Sequence, residues 1–381
     1  MCFLLTDLEA KVLKIIRDSN QISRLEISKF LNLSKPVISQ VVSRLISKGL
    51  VVESGARKSS SGRPKIDLKF VSDAFYCVGA ELEENTFEII VTDLLGNEKV
   101  SSQHNTPERK DSIDIVNWCA ERIEELIRKS FIKERILGAG IGISAMVEPN
   151  TGLVRTAPAF GMKNLDLQGA LHRRLNLPVY VANRVKLAAF AEHRLGAARG
   201  FKDALFIYLD SGLGCAVILD DELFQGFYGK AGEFGWMITD IDLTKDDICF
   251  EQDFGHLARK ISGHCLRKYL AGVIQGTDLT EIMDMIRQEK SEMGKKLKRS
   301  LIHFAAAIAN AILMFDPQVV IMKGRIGQRY FNEITEIILE FLRNFLPPQF
   351  YENLEFRKGK IEKYDVALGG VFFVQKKIMN I

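Results

Sequence analysis

The stretch SRLEISKFLNLSKPVISQVVSRLISKG, Ser23 to Gly49, holds two short helices and the turn between them. Ser23 and Glu26 have capping-box spacing: the serine hydroxyl accepts from the third backbone N–H while the glutamate reaches back to the cap. The helix this opens is expected to end at Leu31, with Asn32-Leu33 as a tight turn. Ser34 stands at the next N-cap, and Pro36 falls in the first helical turn, where its missing N–H costs nothing. The second helix is expected to run to about Lys48 and to stop at Gly49. Within it Ile38, Val41, Val42, Leu45 and Ile46 form an apolar face at helical spacing. The opposite face presents Lys35, Ser39, Gln40, Ser43, Arg44 and Lys48.

Working outward, Leu8, Val12, Ile15 and Ile16 predict an amphipathic helix that fades near Asp18-Ser19-Asn20. Downstream, Leu50 to Glu53 and Lys65 to Val71 read as strands around a loop, Ser54 to Pro64, that carries Arg57, Lys58 and Arg63. Three helices and a strand-loop-strand wing make a winged helix-turn-helix. Its side chains suit double-stranded DNA. Gln40 can bond adenine bidentately, Arg44 can bond guanine, and Ser39, Ser43 and Lys35 can hold phosphates. A wing arginine can enter a minor groove.

The charge distribution agrees with this. Residues 1–70 hold 13 Lys+Arg against 6 Asp+Glu, and the remaining residues hold 39 against 42. A basic module of +7 on a body of −3 is the asymmetry expected of a nucleic-acid reader.

The whole chain has 381 residues, 47% hydrophobic and 26% charged, which implies two or three soluble domains and excludes a disordered tail, a collagen-like fibre or a coiled-coil rod. The longest apolar run, Phe304 to Phe315, is about a dozen residues and contains Asn310, short of the roughly 20 a membrane span needs. Met1 to Leu5 runs straight into Asp7, Glu9 and Lys11, so no signal peptide is expected. The six cysteines are scattered without a CxxC pair, which suits reduced thiols in the cytoplasm.

From about residue 75 strands and helices alternate. Strands are expected at Phe75 to Glu81, Thr86 to Thr92, Ile136 to Ser144, Leu177 to Val181, Ala204 to Tyr208, Cys215 to Leu219 and Gln318 to Met322. Helices are expected at Ile113 to Lys129 and Lys186 to Leu195, and helical segments dominate after residue 219. Such alternation predicts a mixed α/β body.

Six segments, in order, carry a resemblance: Gly62-Arg63-Pro64, Gly140-Ile141-Gly142-Ile143-Ser144, Thr151-Gly152-Leu153-Val154, Val181-Ala182-Asn183, Ser211-Gly212-Leu213-Gly214 and Gly229-Lys230-Ala231-Gly232-Glu233-Phe234-Gly235. Each alone is weak, but together they resemble the ROK family (repressors, open reading frames and sugar kinases) in its repressor branch. The resemblance implies a winged helix-turn-helix over residues 1–72. A two-lobed actin-like (ribonuclease H-like) sugar-kinase fold follows over residues 73–381. The second lobe would begin at about 184, with the C-terminal helix returning to the first. It further implies a sugar cleft between the lobes and a homodimer or homotetramer.

The kinase members place an Asn-Asp pair where this chain has Asn183-Arg184, and a protonated guanidinium cannot serve as the general base. At the first phosphate loop this chain reads Gly79-Ala80-Glu81-Leu82-Glu83-Glu84, three carboxylates that would repel a triphosphate. The second loop survives as Ser211 to Gly214 behind Asp210, a further unfavourable charge, and Lys323-Gly324-Arg325 replaces a glycine cluster. The family's zinc motif is reduced to Cys249-Phe250-Glu251, with Trp236 in the histidine position and no ligand spacing to His256 or His264. No catalytic residue, metal or cofactor is therefore expected.

By resemblance, Asn183, Glu233 and Glu251 match sugar-contacting positions, Trp236 offers an aromatic face to a pyranose, and Arg184 can pair with Glu233 or Glu251 or bind an anionic group. The expectation is a sugar-responsive transcriptional regulator, a repressor that binds an operator and a sugar or sugar derivative. The alternatives are an ATP-dependent hexose or N-acetylhexosamine kinase, and a regulator that answers to a partner protein.

Overall fold

A computed structural model describes residues 5–19, 21–57, 65–107, 111–130, 132, 135–240, 255–262 and 292–381. They divide into two compact units. The first comprises residues 1–142, 166–181 and 370–381, and the second residues 143–165 and 182–369.

The first unit opens with α1 (Asp7–Asp18), β1 (Ile22–Ser23), α2 (Arg24–Phe30), α3 (Lys35–Ser47), β2 (Val51–Arg57) and β3 (Lys65–Phe70). The three strands form one antiparallel sheet in the order β1-β3-β2. Val12, Leu13, Ile16, Ile27, Ile38, Val42 and Leu45 interlock beneath it and are fully buried or nearly so, as helical periodicity requires. The Ser23 capping box forms: its N–H donates to Glu26 Oε2 at 2.9 Å and its Oγ accepts from the Glu26 N–H at 3.4 Å. A second box, unread in the sequence, joins Thr6 and Glu9 at the head of α1. Ser34 occupies the N-cap of α3 but makes no side-chain capping bond, so Pro36 alone marks that start. Asn32 holds the turn at φ 51°, and Ser28 Oγ donates to the Leu33 carbonyl at 2.6 Å.

The chain continues through β4 (Tyr76–Leu82), β5 (Thr86–Asp93), β6 (Glu98–Asn105), α4 (Ser112–Ser130), β7 (Ile136–Ile143), β8 (Met146–Val147), β9 (Val154–Ala157), β10 (Met162–Leu165), α5 (Leu167–Leu175) and β11 (Val179–Asn183). The large sheet of the first unit has the order β11-β7-β4-β5-β6, with β4, β5 and β6 an antiparallel meander. β8, β9 and β10 form a small separate antiparallel sheet.

Next come α6 (Arg184–Arg194), β12 (Ala204–Leu209), β13 (Leu213–Leu219), β14 (Glu222–Phe224), α7 (His256–Ile261), α8 (Glu292–Phe315), β15 (Val319–Lys323), α9 (Arg325–Arg329), α10 (Phe331–Phe345), β16 (Glu355–Lys358) and α11 (Asp365–Met379). The second large sheet has the order β14-β13-β12-β15-β16, with β12, β15 and β16 parallel. Both large sheets follow one plan: a three-strand meander whose first strand is flanked by the fourth, with the fifth beyond. This is the repeated ribonuclease H-like plan of a sugar-kinase fold.

The Lys298–Phe315 segment of α8 is long and apolar enough, by length and composition, to cross a membrane, more than the run read from the sequence. Its Leu301, Phe304, Ile308 and Ile312 share one core with Leu205, Ile207, Val320 and Met322 of the second sheet. That core accounts for its apolarity.

Candidate functional site

The recognition-helix candidate α3 turns Ile38, Val41, Val42 and Leu45 into the core, which leaves Lys35, Gln40 and Ser43 exposed and Ser39 half-buried. The Ser43 hydroxyl donates back to the Ser39 carbonyl at 2.8 Å. Among the described residues Lys35 forms no ion pair and Gln40 no side-chain hydrogen bond, so both are available to a ligand.

Arg44 is differently placed. Its Nε donates to Glu9 Oε1 at 2.8 Å, and the Lys48 ammonium lies 3.0 Å from Glu9 Oε2. Burial disfavours the Glu9 carboxylate, but the Thr6 N–H and the side-chain bonds from Lys48 and Arg44 outweigh it and hold the group at about 2. Two cations of the outward face thus also brace α3 against α1.

Arg57 pairs with Lys65 in the ladder that enters the wing, while Lys58 and Arg63 lie outside the described residues. Other basic side chains of this module are engaged with acids: Arg24 with Glu53 at 2.8 Å and Lys65 with Glu26 at 3.1 Å.

In the second unit the sugar-contacting candidates gather around the start of α6. Asn183 is its N-cap: Oδ1 accepts from the N–H groups of Val185 at 2.9 Å and Lys186 at 3.4 Å, and Nδ2 donates to the Ala145 carbonyl at 3.0 Å. Those bonds fix the carboxamide and leave one N–H for a ligand. The Arg184 guanidinium lies 5.1 Å from the centroid of the Tyr208 ring, with Nη2 3.5 Å from its hydroxyl. Glu233 is not its ion-pair partner, contrary to one of the pairings expected from the sequence.

The charge that faces Glu233 belongs to Lys186, which the sequence analysis passed over as an ordinary helix residue. Lys186 is buried and donates from Nζ to the Gly229 carbonyl at 2.5 Å. Burial pushes the Glu233 carboxyl above its ordinary range, and Lys186 partly restores it. Burial likewise lowers Lys186, offset by Glu233 and Cys215. Among the described residues no side chain donates to the half-buried Glu233 carboxylate, which leaves its oxygens able to accept from a ligand. Trp236 closes the short turn Phe234–Trp236 and is 40% exposed. An indole offers no lone pair to a metal, so the residue set around it does not fit the family's zinc. Cys249, Glu251 and His264 lie outside the described residues, and His256 opens α7.

At the positions that match the phosphate loops, several side chains are engaged with other parts of the protein. The Asp210 carboxylate accepts from the Ser211 N–H at 2.8 Å, the Arg325 N–H at 3.2 Å and Arg325 Nε at 2.9 Å. Asp210 was expected to repel phosphates, but its charge is paired with Arg325, and the pair ties two loops together instead. Gly324 sits between them at φ 84°, and a Cβ there would lie 2.3 Å from the Leu209 carbonyl. The neighbouring Lys323 is buried, with its ammonium on Asp365 at 3.1 Å, Glu192 at 3.4 Å and the Ile361 carbonyl. In the first unit Glu81 is buried within β4, Glu83 accepts from the Thr86 hydroxyl at 3.3 Å, and Glu84 is exposed.

Known proteins similar to this chain share its two-part organisation. A winged helix-turn-helix DNA-binding profile matches residues 5–52, and the ROK family profile matches residues 77–377. The xylose repressor of Caldicellulosiruptor bescii is 29% identical over 387 residues, 97% of this chain and 95% of the repressor. The N-acetylglucosamine repressor of Escherichia coli O157:H7 is 23% identical over 388 residues, 97% of this chain and 93% of the repressor. Among solved structures, a ROK family transcriptional regulator homologous to the E. coli MLC protein superposes with a TM-score of 0.83 at 22% identity, over 97% of this chain and 96% of that one. A ROK hexokinase from Thermus thermophilus gives 0.67 at 22% identity, over 80% of this chain and 99% of the enzyme. The regulator match includes the winged helix, whereas the hexokinase match covers a smaller share of the chain. With its profile spanning everything from Cys77 to Lys377, the chain belongs to the ROK family.

Proposed function

We propose that this protein is a DNA-binding transcriptional repressor that responds to a sugar, and that its kinase-like body binds the sugar without phosphorylating it. One observation carries the proposal: a recognition helix with Lys35 and Gln40 exposed and unengaged precedes a ROK body in which Arg184 stands at the base position. Lys35, Ser39, Gln40, Ser43, Arg44 and the wing residues Arg57, Lys58 and Arg63 contact the operator. Asn183, Arg184, Glu233, Trp236 and Glu251 contact the sugar, with Lys186 tuning Glu233.

A homodimer would set two α3 helices in successive major grooves about 34 Å apart, on a roughly palindromic site. Sugar binding that favours a different arrangement releases the operator, and a hundredfold loss of affinity needs only about 2.7 kcal/mol. The protein acts in the cytoplasm, where such an operator is accessible. Phosphoryl transfer is disfavoured on three counts. Arg184 cannot accept a proton, Asp210 and Arg325 pair with each other at the second phosphate loop, and the Lys323 ammonium is already held by Asp365, Glu192 and the Ile361 carbonyl.

Selection of fragments from genomic DNA by the full-length protein tests the reading. The expected result is a salt-sensitive, sequence-selective complex that a sugar weakens. Binding that is indifferent to sequence, or sugar-dependent ATP turnover by the wild-type protein, would overturn it.

A further inference from the structure

In the second unit, the loop between β14 and the Phe234–Trp236 turn holds Phe227 85% exposed and Tyr228 63% exposed. Single exposed apolar residues are ordinary. These two are adjacent, in edge-to-face contact at 4.8 Å between ring centroids, and Lys230 lies 5.7 Å over the tyrosine ring. The base of the loop is tightly held. Gly229 sits at φ 76°, where a Cβ would lie 2.4 Å from the Val147 carbonyl, and the Gly229 N–H and Ala231 N–H close the loop on Gly226 and Gln225.

The same loop is built into the effector site. The residue after Tyr228 is Gly229, whose carbonyl is gripped by Lys186, and Lys186 is the charge that acts on Glu233. A half-buried carboxylate with no side-chain donor can accept from sugar hydroxyls, whereas aromatic faces recognise the C–H face of a pyranose. Moving from Glu233 along the loop therefore leads from a polar acceptor to an aromatic platform braced at its base.

We infer that Phe227 and Tyr228 form a second-ring subsite, so that the effector is a disaccharide or longer glycoside, the first ring on Glu233 and the next on the aromatic pair. This inference rests on the sugar-binding reading proposed above.

Calorimetric titration of the full-length protein tests it with matched probes: glucose with cellobiose and maltose, xylose with xylobiose, and N-acetylglucosamine with chitobiose. One disaccharide should bind about tenfold more tightly than its monosaccharide, from two ring contacts. The F227A/Y228A double variant should lose that advantage and keep the monosaccharide affinity, with unchanged thermal unfolding, while E233Q should weaken both. Equal affinities for both members of every pair, unaltered in the double variant, would overturn the second-ring subsite and leave sugar sensing intact. A drop in oligomer mass in the double variant with the disaccharide advantage retained would make the aromatics a subunit contact and overturn it too. If none of the saccharides binds, the sugar-sensing reading itself falls and the subsite with it.

Discussion

The guanidinium of Arg325 lies 2.8 Å from the carboxylate of Asp210, so the turn after β12 and the start of α9, 115 residues apart in the chain, share one ion pair. Asp210 also takes the Ser211 and Arg325 backbone N–H groups. These are donors that a nucleotide phosphate would need at such a loop. On the reading proposed above, a phosphate at this loop would have to displace a formed, charge-assisted pair.

It follows that restoring the base will not restore a kinase. Arg184→Asp alone should show no sugar-dependent ADP release in a coupled assay, since the Asp210–Arg325 pair and the buried Lys323 remain. Turnover in that single variant would show that the loops open more readily than the geometry indicates.

Glu9 ties Arg44 and Lys48 on the outward face of α3 to the head of α1. Its carboxyl is held at about 2, below the ordinary 4.5, so its stabilisation is complete above pH 4.5 and is lost as pH falls toward 2. A shift of that size corresponds to about 3 kcal/mol. Glu9→Gln should destabilise the first unit by up to about that amount at neutral pH. The difference from wild type should shrink steadily between pH 4.5 and 2 in thermal or urea unfolding.

Lys35, Gln40 and Arg44 should separate in binding assays. Lys35→Ala should weaken all sequences equally and reduce the salt slope by about one. Gln40→Ala should cost about 1–3 kcal/mol at one base position only. Arg44→Ala should lower unfolding stability together with affinity, because its guanidinium also braces Glu9.

The acid limb of sugar binding should report Glu233. Burial raises this carboxyl and Lys186 opposes the shift, so the ionised acceptor is lost at a higher pH than for an ordinary glutamate. Lys186→Met should move the limb to still higher pH, measured as ligand affinity against pH. An unmoved limb would separate Lys186 from the site.

The elements legible in the sequence were those with strong local signals. α1 to α3 lie within a residue or two of expectation because apolar spacing and the Ser23–Glu26 box mark them. β6 went unread: Glu98-Lys99-Val100-Ser101-Ser102-Gln103-His104-Asn105 is a polar edge strand with little to bury. β16, at the opposite edge position, is short and charged for the same reason. The small sheet of β8 to β10 was also missed, its strands being too short to show a period, and α5 was missed although Leu167, Leu171 and Leu175 repeat at helical spacing. Among the candidate site residues, Asn183 and Glu233 were named by motif pattern. Lys186, Tyr208 and the partnership of Arg325 with Asp210 were not, because each depends on distant contacts and no spacing announces them.

Residues 370–381 belong to the first unit, where Phe373 meets Tyr180 edge-on and Asn380 donates to Asp7 at the head of α1 at 3.4 Å. In chain order these residues follow all of the second unit, so the first unit gains these contacts only after residues 182–369 have been made. A nonsense codon just before Gly370 would spare every residue of the second unit and take from the first both the Phe373–Tyr180 and the Asn380–Asp7 contacts.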